Sequence, residues 1–179
     1  TDPGATDTPT SEPATPEPTS AASDSPEPSE DPSGSPSSEP GAAAACSGND
    51  KNRAFFVSIA EKVDWPVYCA VLPDGWFVGA GRWGLAGGGW LEITYRGPVG
   101  AGLELREGVS CEGGCVPSGE GTGTTTALGD QTGELFRLDD GRLGVIVDQD
   151  TAAAWAVIGS GMDEASLVAI AADLARVGD

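Results

Sequence analysis

The chain has 179 residues, with 28 acidic against 9 basic side chains, a net charge of -19, four cysteines and no histidine. Such an excess of negative charge forfeits the phosphate attraction on which nucleic-acid affinity rests, and it leaves no polybasic patch for an anionic membrane surface. Without histidine there is no Ser-His-Asp triad, Cys-His dyad or imidazole zinc ligand, so the expectation is a chain with no metal, no cofactor and no common catalytic constellation.

Residues 1–48 hold 10 of the 14 prolines, 10 serines and 6 threonines, without Leu, Ile, Val, Met or an aromatic residue. Four Asp and five Glu with no Lys or Arg add self-repulsion, so this stretch is predicted to be a disordered, extended acidic spacer. Its Pro-Glu-Pro and Ser-Pro units (Pro16, Glu17, Pro18; Pro26, Glu27, Pro28; Ser35, Pro36) favour polyproline II, with a reach of about 100 Å or somewhat more. The Ser/Thr/Pro content also suits O-glycosylation, with a plain linker as the simpler reading. Ala43-Ala44-Ala45-Cys46 looks like a lipobox, but an acidic Pro-rich stretch cannot serve as the apolar region of a signal peptide. The chain starts at Thr1, and the expectation is that a signal or anchor, either a lipidated cysteine or a membrane helix, has been trimmed from before it.

Residues 49–179 contain every Leu, Ile, Val and aromatic residue of the chain and read as one domain. No apolar run there reaches the roughly 18 residues that a membrane span requires. Asn49 or Asp50 caps a predicted helix running to about Val63, with Phe55, Phe56, Ile59, Ala60 and Val63 at helical spacing and Pro66 closing it. The period then changes to two. Strands are predicted around 76–80, 90–96 and 100–106, then at 135–138, 143–147 and 153–158. Asp74-Gly75, the Gly87-Gly88-Gly89 run and Asp140-Gly141 supply turns, the last as a hairpin signal. Asp163 caps a second helix, Met162 staples onto Leu167, and Leu167, Val168, Ile170, Ala171 and Leu174 form its apolar stripe. The fold class predicted is α+β: a curved antiparallel sheet of about five to six strands flanked by an N-terminal and a C-terminal helix.

Four cysteines permit three pairings as two disulfides. The preferred one joins Cys46 to Cys69 and Cys111 to Cys115, the second closing a loop in which Gly113 and Gly114 allow a sharp turn. Metal binding through Cys111 and Cys115 is the sharper alternative, but it needs two further ligands. Structural disulfides point to an oxidising, extracytoplasmic compartment.

Pro66-Val67-Tyr68 followed by Leu72-Pro73-Asp74-Gly75-Trp76, together with Ala154-Trp155 leading through Gly159 to Met162-Asp163-Glu164-Ala165-Ser166-Leu167-Val168-Ala169-Ile170-Ala171, resemble one known pattern. It is that of an uncharacterised extracytoplasmic domain of bacterial anti-sigma-factor-like proteins and lipoproteins, distantly similar to the lipoprotein-carrier family. The resemblance implies a half-open antiparallel sheet with helices on one side, and a role in sensing or binding rather than catalysis. It carries over no catalytic residue. The partner expected on this reading is a membrane- or cell-wall-associated protein, lipid or glycan, met at a bacterial cell surface or in a periplasmic space.

Five tryptophans (Trp65, Trp76, Trp83, Trp90 and Trp155) invite a glycan reading, in which Trp faces stack sugar rings beside Tyr95 and the acceptor Glu92. The candidate ligand residues are therefore Trp83, Trp90, Glu92 and Tyr95, with Trp83 the one expected to be exposed and Trp76, Trp90 and Trp155 otherwise reading as core. The Gly119, Gly121, Gly123 run lacks Gly-Lys-Ser/Thr and is predicted to be a flexible loop rather than a phosphate cradle. Asp139 with Asp140, and Asp148 with Asp150, lack the glycine and distal glutamate of a calcium loop and read as turn chemistry. A carboxylate pair for glycoside hydrolysis is a third reading that no spacing singles out.

Overall fold

The computed structural model describes residues 45–111, 113–148 and 153–178. The predicted spacer, apart from its last four residues, lies outside the described residues, as does Asp150.

Helix α1 (Asp50–Ala60) starts where the sequence places a cap. The Asn49 side chain accepts from the Asn52 backbone N–H at 3.1 Å, and the Asn52 side chain accepts from the Asn49 N–H at 3.0 Å, so two of the otherwise unpaired donors of the first turn are satisfied reciprocally. The helix stops short of Val63, its last turn tightened by a Lys62 N–H to Ile59 C=O bond of 2.8 Å.

Among the described residues nine strands follow: β1 (Val67–Cys69), β2 (Phe77–Gly84), β3 (Trp90–Arg96), β4 (Gly102–Gly108), β5 (Gly119–Leu128), β6 (Gln131–Leu138), β7 (Leu143–Asp148), β8 (Ala154–Ser160) and, beyond helix α2 (Glu164–Ala172), β9 (Ala175–Val177). β1 and β9 form a two-stranded antiparallel ribbon, and the other seven form one antiparallel sheet in the order β2-β3-β4-β8-β7-β6-β5. Two meanders, β2-β3-β4 and β5-β6-β7-β8, thus join where β4 pairs with β8.

The fold is a mostly-sheet α+β arrangement, but its main sheet has seven strands where five to six were expected. The additional strand is β5, which occupies the run predicted to be a flexible loop. That run offers almost no apolar residue to reveal a period of two. Its consecutive threonines, Thr124, Thr125 and Thr126, nevertheless favour extended backbone, and as an edge strand β5 pairs with β6 alone. The helices do not flank the sheet as a matched pair. α2 packs on β5, β7 and β8, whereas α1 lies chiefly against the ribbon.

Alternation divides the sheet into two faces. Leu91, Ile93, Tyr95, Leu103, Leu105, Leu135, Val145, Val147, Trp155 and Val157 point to the main core, shared with Phe56 and Ile59 of α1 and with Leu167 and Ala171 of α2. Met162 and Leu167 both close on Gly159, where a Cβ would lie 3.0 and 3.2 Å from them, so Met162 packs onto the core that Leu167 joins. The opposite face carries a smaller cluster of Leu138, Ile146, Ala156 and Ile158, and the patch of Cys111, Cys115 and Ala154 beside Trp90.

The ribbon is attached through an unusual device. β1 spends one edge on β9, and side chains rising from the core face of the sheet satisfy backbone groups along 66–70. Trp155 Nε1–H donates to the Pro66 C=O at 2.9 Å, both Glu107 carboxyl oxygens lie 3.1 Å from the Tyr68 N–H, and the Tyr95 hydroxyl accepts from the Ala70 N–H at 3.3 Å. The spacing of two between these positions is that of one strand edge. Tyr68 also donates its hydroxyl to Asp130, and the phenol is pushed up to about 12, first by burial and then by that bond.

Both preferred disulfides are present: Cys46–Cys69 with Cα atoms 5.4 Å apart, and Cys111–Cys115 with Cα atoms 4.7 Å apart. A lipidated Cys46 is incompatible with the first.

Candidate functional site

A groove of about 1020 Å³ lies beside α2. One wall is the segment after β1, contributing Val71, Leu72, Pro73 and Trp76; the other is α2 and the turn before it, contributing Met162, Asp163, Ser166, Ala169, Ile170 and Asp173. Ala101, in the turn between β3 and β4, also lines it.

Each wall is held by local chemistry. The Ser47 hydroxyl accepts from the Leu72 N–H at 2.6 Å, and the Ser47 N–H donates to the Ala70 C=O at 2.9 Å, so the Cys46–Cys69 disulfide moors the root of the first wall. Trp76 lies flat against Gly97, where a Cβ would fall 2.5 Å from its Cε2, so only glycine lets the indole approach the β3–β4 turn. On the other side the Asp163 carboxylate accepts from the Ser166 N–H at 2.7 Å, which caps α2 and holds the carboxyl below its usual range. Asp163, Ser166, Ala169, Ile170 and Asp173 recur at helical spacing, so α2 turns this stripe to the groove and Leu167 and Ala171 to the core.

The lining is apolar apart from Ser166 and the two carboxylates. No Lys or Arg is among its residues. Asp163 and Asp173 sit at opposite ends of α2, about 15 Å apart along the helix axis at 1.5 Å per residue.

The four candidate ligand residues do not form one strip. In register Trp83 pairs with Leu91, and with Tyr95 it belongs to the core face, whereas Trp90 and Glu92 belong to the opposite face. Trp83 is half-buried against the core, with the Lys62 ammonium 5.7 Å above its ring. Tyr95 is closed to solvent, and its phenol is raised by burial. Glu92 is buried against an ion pair with Arg82, whose guanidinium lies 5.9 Å from the Trp90 ring. Of the other tryptophans, Trp65 is buried with its Nε1–H on the Gly88 C=O at 3.0 Å, and Trp155 is core. Trp76 is the tryptophan that faces the groove.

Asp140 accepts from the Arg142 N–H at 3.0 Å and from its Nε at 2.7 Å, which is turn chemistry and an ion pair. Among the described residues no group of three or more His, Cys, Asp or Glu side chains is gathered to hold a metal ion, and no helix is long and apolar enough to cross a membrane.

The groove lies apart from Trp83, Trp90, Glu92 and Tyr95, the residues that the sequence singles out for a ligand. Its walls are residues of the 71–76 and 161–173 segments. No protein-family model, curated protein or solved structure matches the chain.

Proposed function

We propose that residues 49–179 form a non-catalytic, extracytoplasmic sensing or binding domain of a bacterial surface protein, tethered by the 1–48 spacer and anchored by lipid. On this reading the domain is of the anti-sigma-factor-like and lipoprotein-related kind that its two motifs resemble. The observation that carries it is the preformed apolar groove between the 71–76 segment and α2. Ligand sites are typically concave, mostly apolar and of this size, with a few polar groups that fix orientation. The carboxylates on its rim support binding over hydrolysis, because about 15 Å of helix axis separates them, whereas paired catalytic carboxyl groups of glycosidases stand roughly 5 to 9.5 Å apart. The two disulfides are compatible with an oxidising compartment.

The glycan-binding alternative draws on one observation, the partly accessible Trp90 and Arg82 on the face away from the core. A single titration separates the two readings. The domain is mixed with isolated cell-wall glycan, with zwitterionic detergent micelles and with apolar peptides, while indole and methyl resonances are followed. Shifts at Trp76, Met162 and Ile170 support the groove. Saturable glycan shifts confined to Trp90 or Trp83 would replace it with the glycan module, and silence at every probe would overturn both.

A further inference from the structure

We infer that the groove receives an extended peptide segment whose apolar side chains lie between two basic ones, spaced about four to five residues apart. The inference rests on the binding role proposed above and deepens it by naming the class of occupant.

Charge complementarity selects the ends. The groove-facing stripe of α2 begins at Asp163 and finishes at Asp173, and no cation lines the groove to neutralise either. Asp163 spends an oxygen on the Ser166 N–H, a bond that holds its carboxyl below the usual range, so it stays an anion throughout the neutral range. An extended chain advances about 3.3 Å per residue, so the roughly 15 Å of helix axis between these two residues corresponds to four or five residues. Between them α2 contributes Ser166, Ala169 and Ile170, with Met162 just before Asp163, and the facing wall is Leu72, Pro73 and Trp76, a mostly apolar lining that asks for apolar side chains. The small Ala169 midway along the stripe leaves room for one of them.

The same observations reject other occupants. A fatty acid or anionic lipid would set its head group beside a carboxylate. The chain's own residues 1–48 contain neither Lys nor Arg and carry nine acidic groups, so the spacer is repelled from both ends. A single-headed cationic amphiphile leaves one carboxylate unused.

The test uses the full chain and three acetylated, amidated peptides: Lys-Leu-Ala-Leu-Ala-Lys and its counterparts with Gln or Glu at both ends. Calorimetry and amide shift mapping are run at low and at physiological salt. The expected result is that the Lys peptide binds at least about tenfold tighter than the Gln peptide, that the Glu peptide does not bind, and that the preference weakens with salt. In the double variant Asp163→Asn, Asp173→Asn the Lys and Gln peptides should bind within about twofold of each other. Asparagine caps helices as well as aspartate, so the fold survives the first change. The control is Glu61→Gln with Asp64→Asn, outside the groove, which should leave the preference intact. A Lys preference that survives the groove variant, or that the control abolishes equally, reduces the effect to the diffuse charge of the domain and overturns the proposal. Equal binding of all three peptides with shifts at Trp76 and Ile170 overturns it too, while the groove itself stands. Failure of all three overturns the peptide proposal, and the glycan and micelle titration then decides the binding role separately.

Discussion

Replacing Glu107 with glutamine should change how stability depends on pH, in a direction fixed by the burial of this carboxyl group. Glu107 is fully buried, and among the described residues its oxygens meet one donor, the Tyr68 N–H, with no cation beside them. Burial therefore pushes the carboxyl well above its ordinary value of 4.5, while the Tyr68 bond pulls weakly the other way. The facing phenol of Tyr95 is itself raised and stays neutral. Below the ordinary value both the folded and unfolded chains hold the proton, and this group contributes no slope. Above it the unfolded chain releases the proton and the folded chain keeps it. Stability must then fall with rising pH by about 1.4 kcal/mol per unit until the folded carboxyl ionises. Glutamine keeps an acceptor for Tyr68 but does not titrate, so Glu107→Gln removes that slope. Near pH 5 the variant should be less stable by about 1 kcal/mol, since its amide adds a buried donor that needs a partner. The deficit should close and then reverse as pH rises toward 7. Urea unfolding followed by circular dichroism at half-unit steps from pH 4.5 to 7.5 measures this difference directly, and slopes contributed by other carboxylates cancel in the comparison. Parallel curves for the two proteins would refute the reasoning and mean that Glu107 is ionised in the fold.

Three further outcomes follow from the geometry. The Cys46–Cys69 bond spans 23 residues and Cys111–Cys115 spans 4; loop-closure entropy then makes Cys46→Ser with Cys69→Ser cost about 3 kcal/mol and the other pair about 2. Chemical denaturation of the two double variants checks the order, and a larger loss from the short loop would contradict it. Val99 is fully exposed with φ of 56°, a left-handed conformation hostile to a branched side chain, so Val99→Asn should stabilise by about 1 kcal/mol and raise Tm by a few degrees. Trp83→Ala should cost about 2 kcal/mol, because the ring is half-buried under Lys62; an unchanged Tm would instead make Trp83 a free platform and revive the glycan reading.

Where the chain had a strong periodic signal, the sequence predicted its structure well. Asn49 and Asp163 cap the two helices, and the strands from β2 to β4 and from β6 to β8 fall close to the apolar alternation that announced them. The departures share one cause, the lack of side-chain contrast. β5 is exposed along most of its length, so nothing in its composition distinguishes a strand from a linker. β9 is three residues long, and Leu174 just before it belongs to the apolar stripe of α2, so periodicity extends the helix over a segment whose backbone leaves it after Ala172. β1 is buried throughout as Val67, Tyr68 and Cys69 and shows no alternation.

The site was harder to read because its residues were chosen by chemistry when the structure selects by face. Trp83, Trp90, Glu92 and Tyr95 share two neighbouring strands, yet pairing of Trp83 with Leu91 sends two of them to the core and two to the far side. Tyr95 and Trp155 carry the polar handles that a sugar site would need, but the fold spends both on the backbone of 66–70, with Glu107 supplying the bond between them. β1 is held at three points by side chains of the sheet and is tied to Cys46 at its end, and the 71–76 segment that follows it forms the groove wall opposite α2. The buried Glu107, costly in the core, thus belongs to the attachment from which that wall continues.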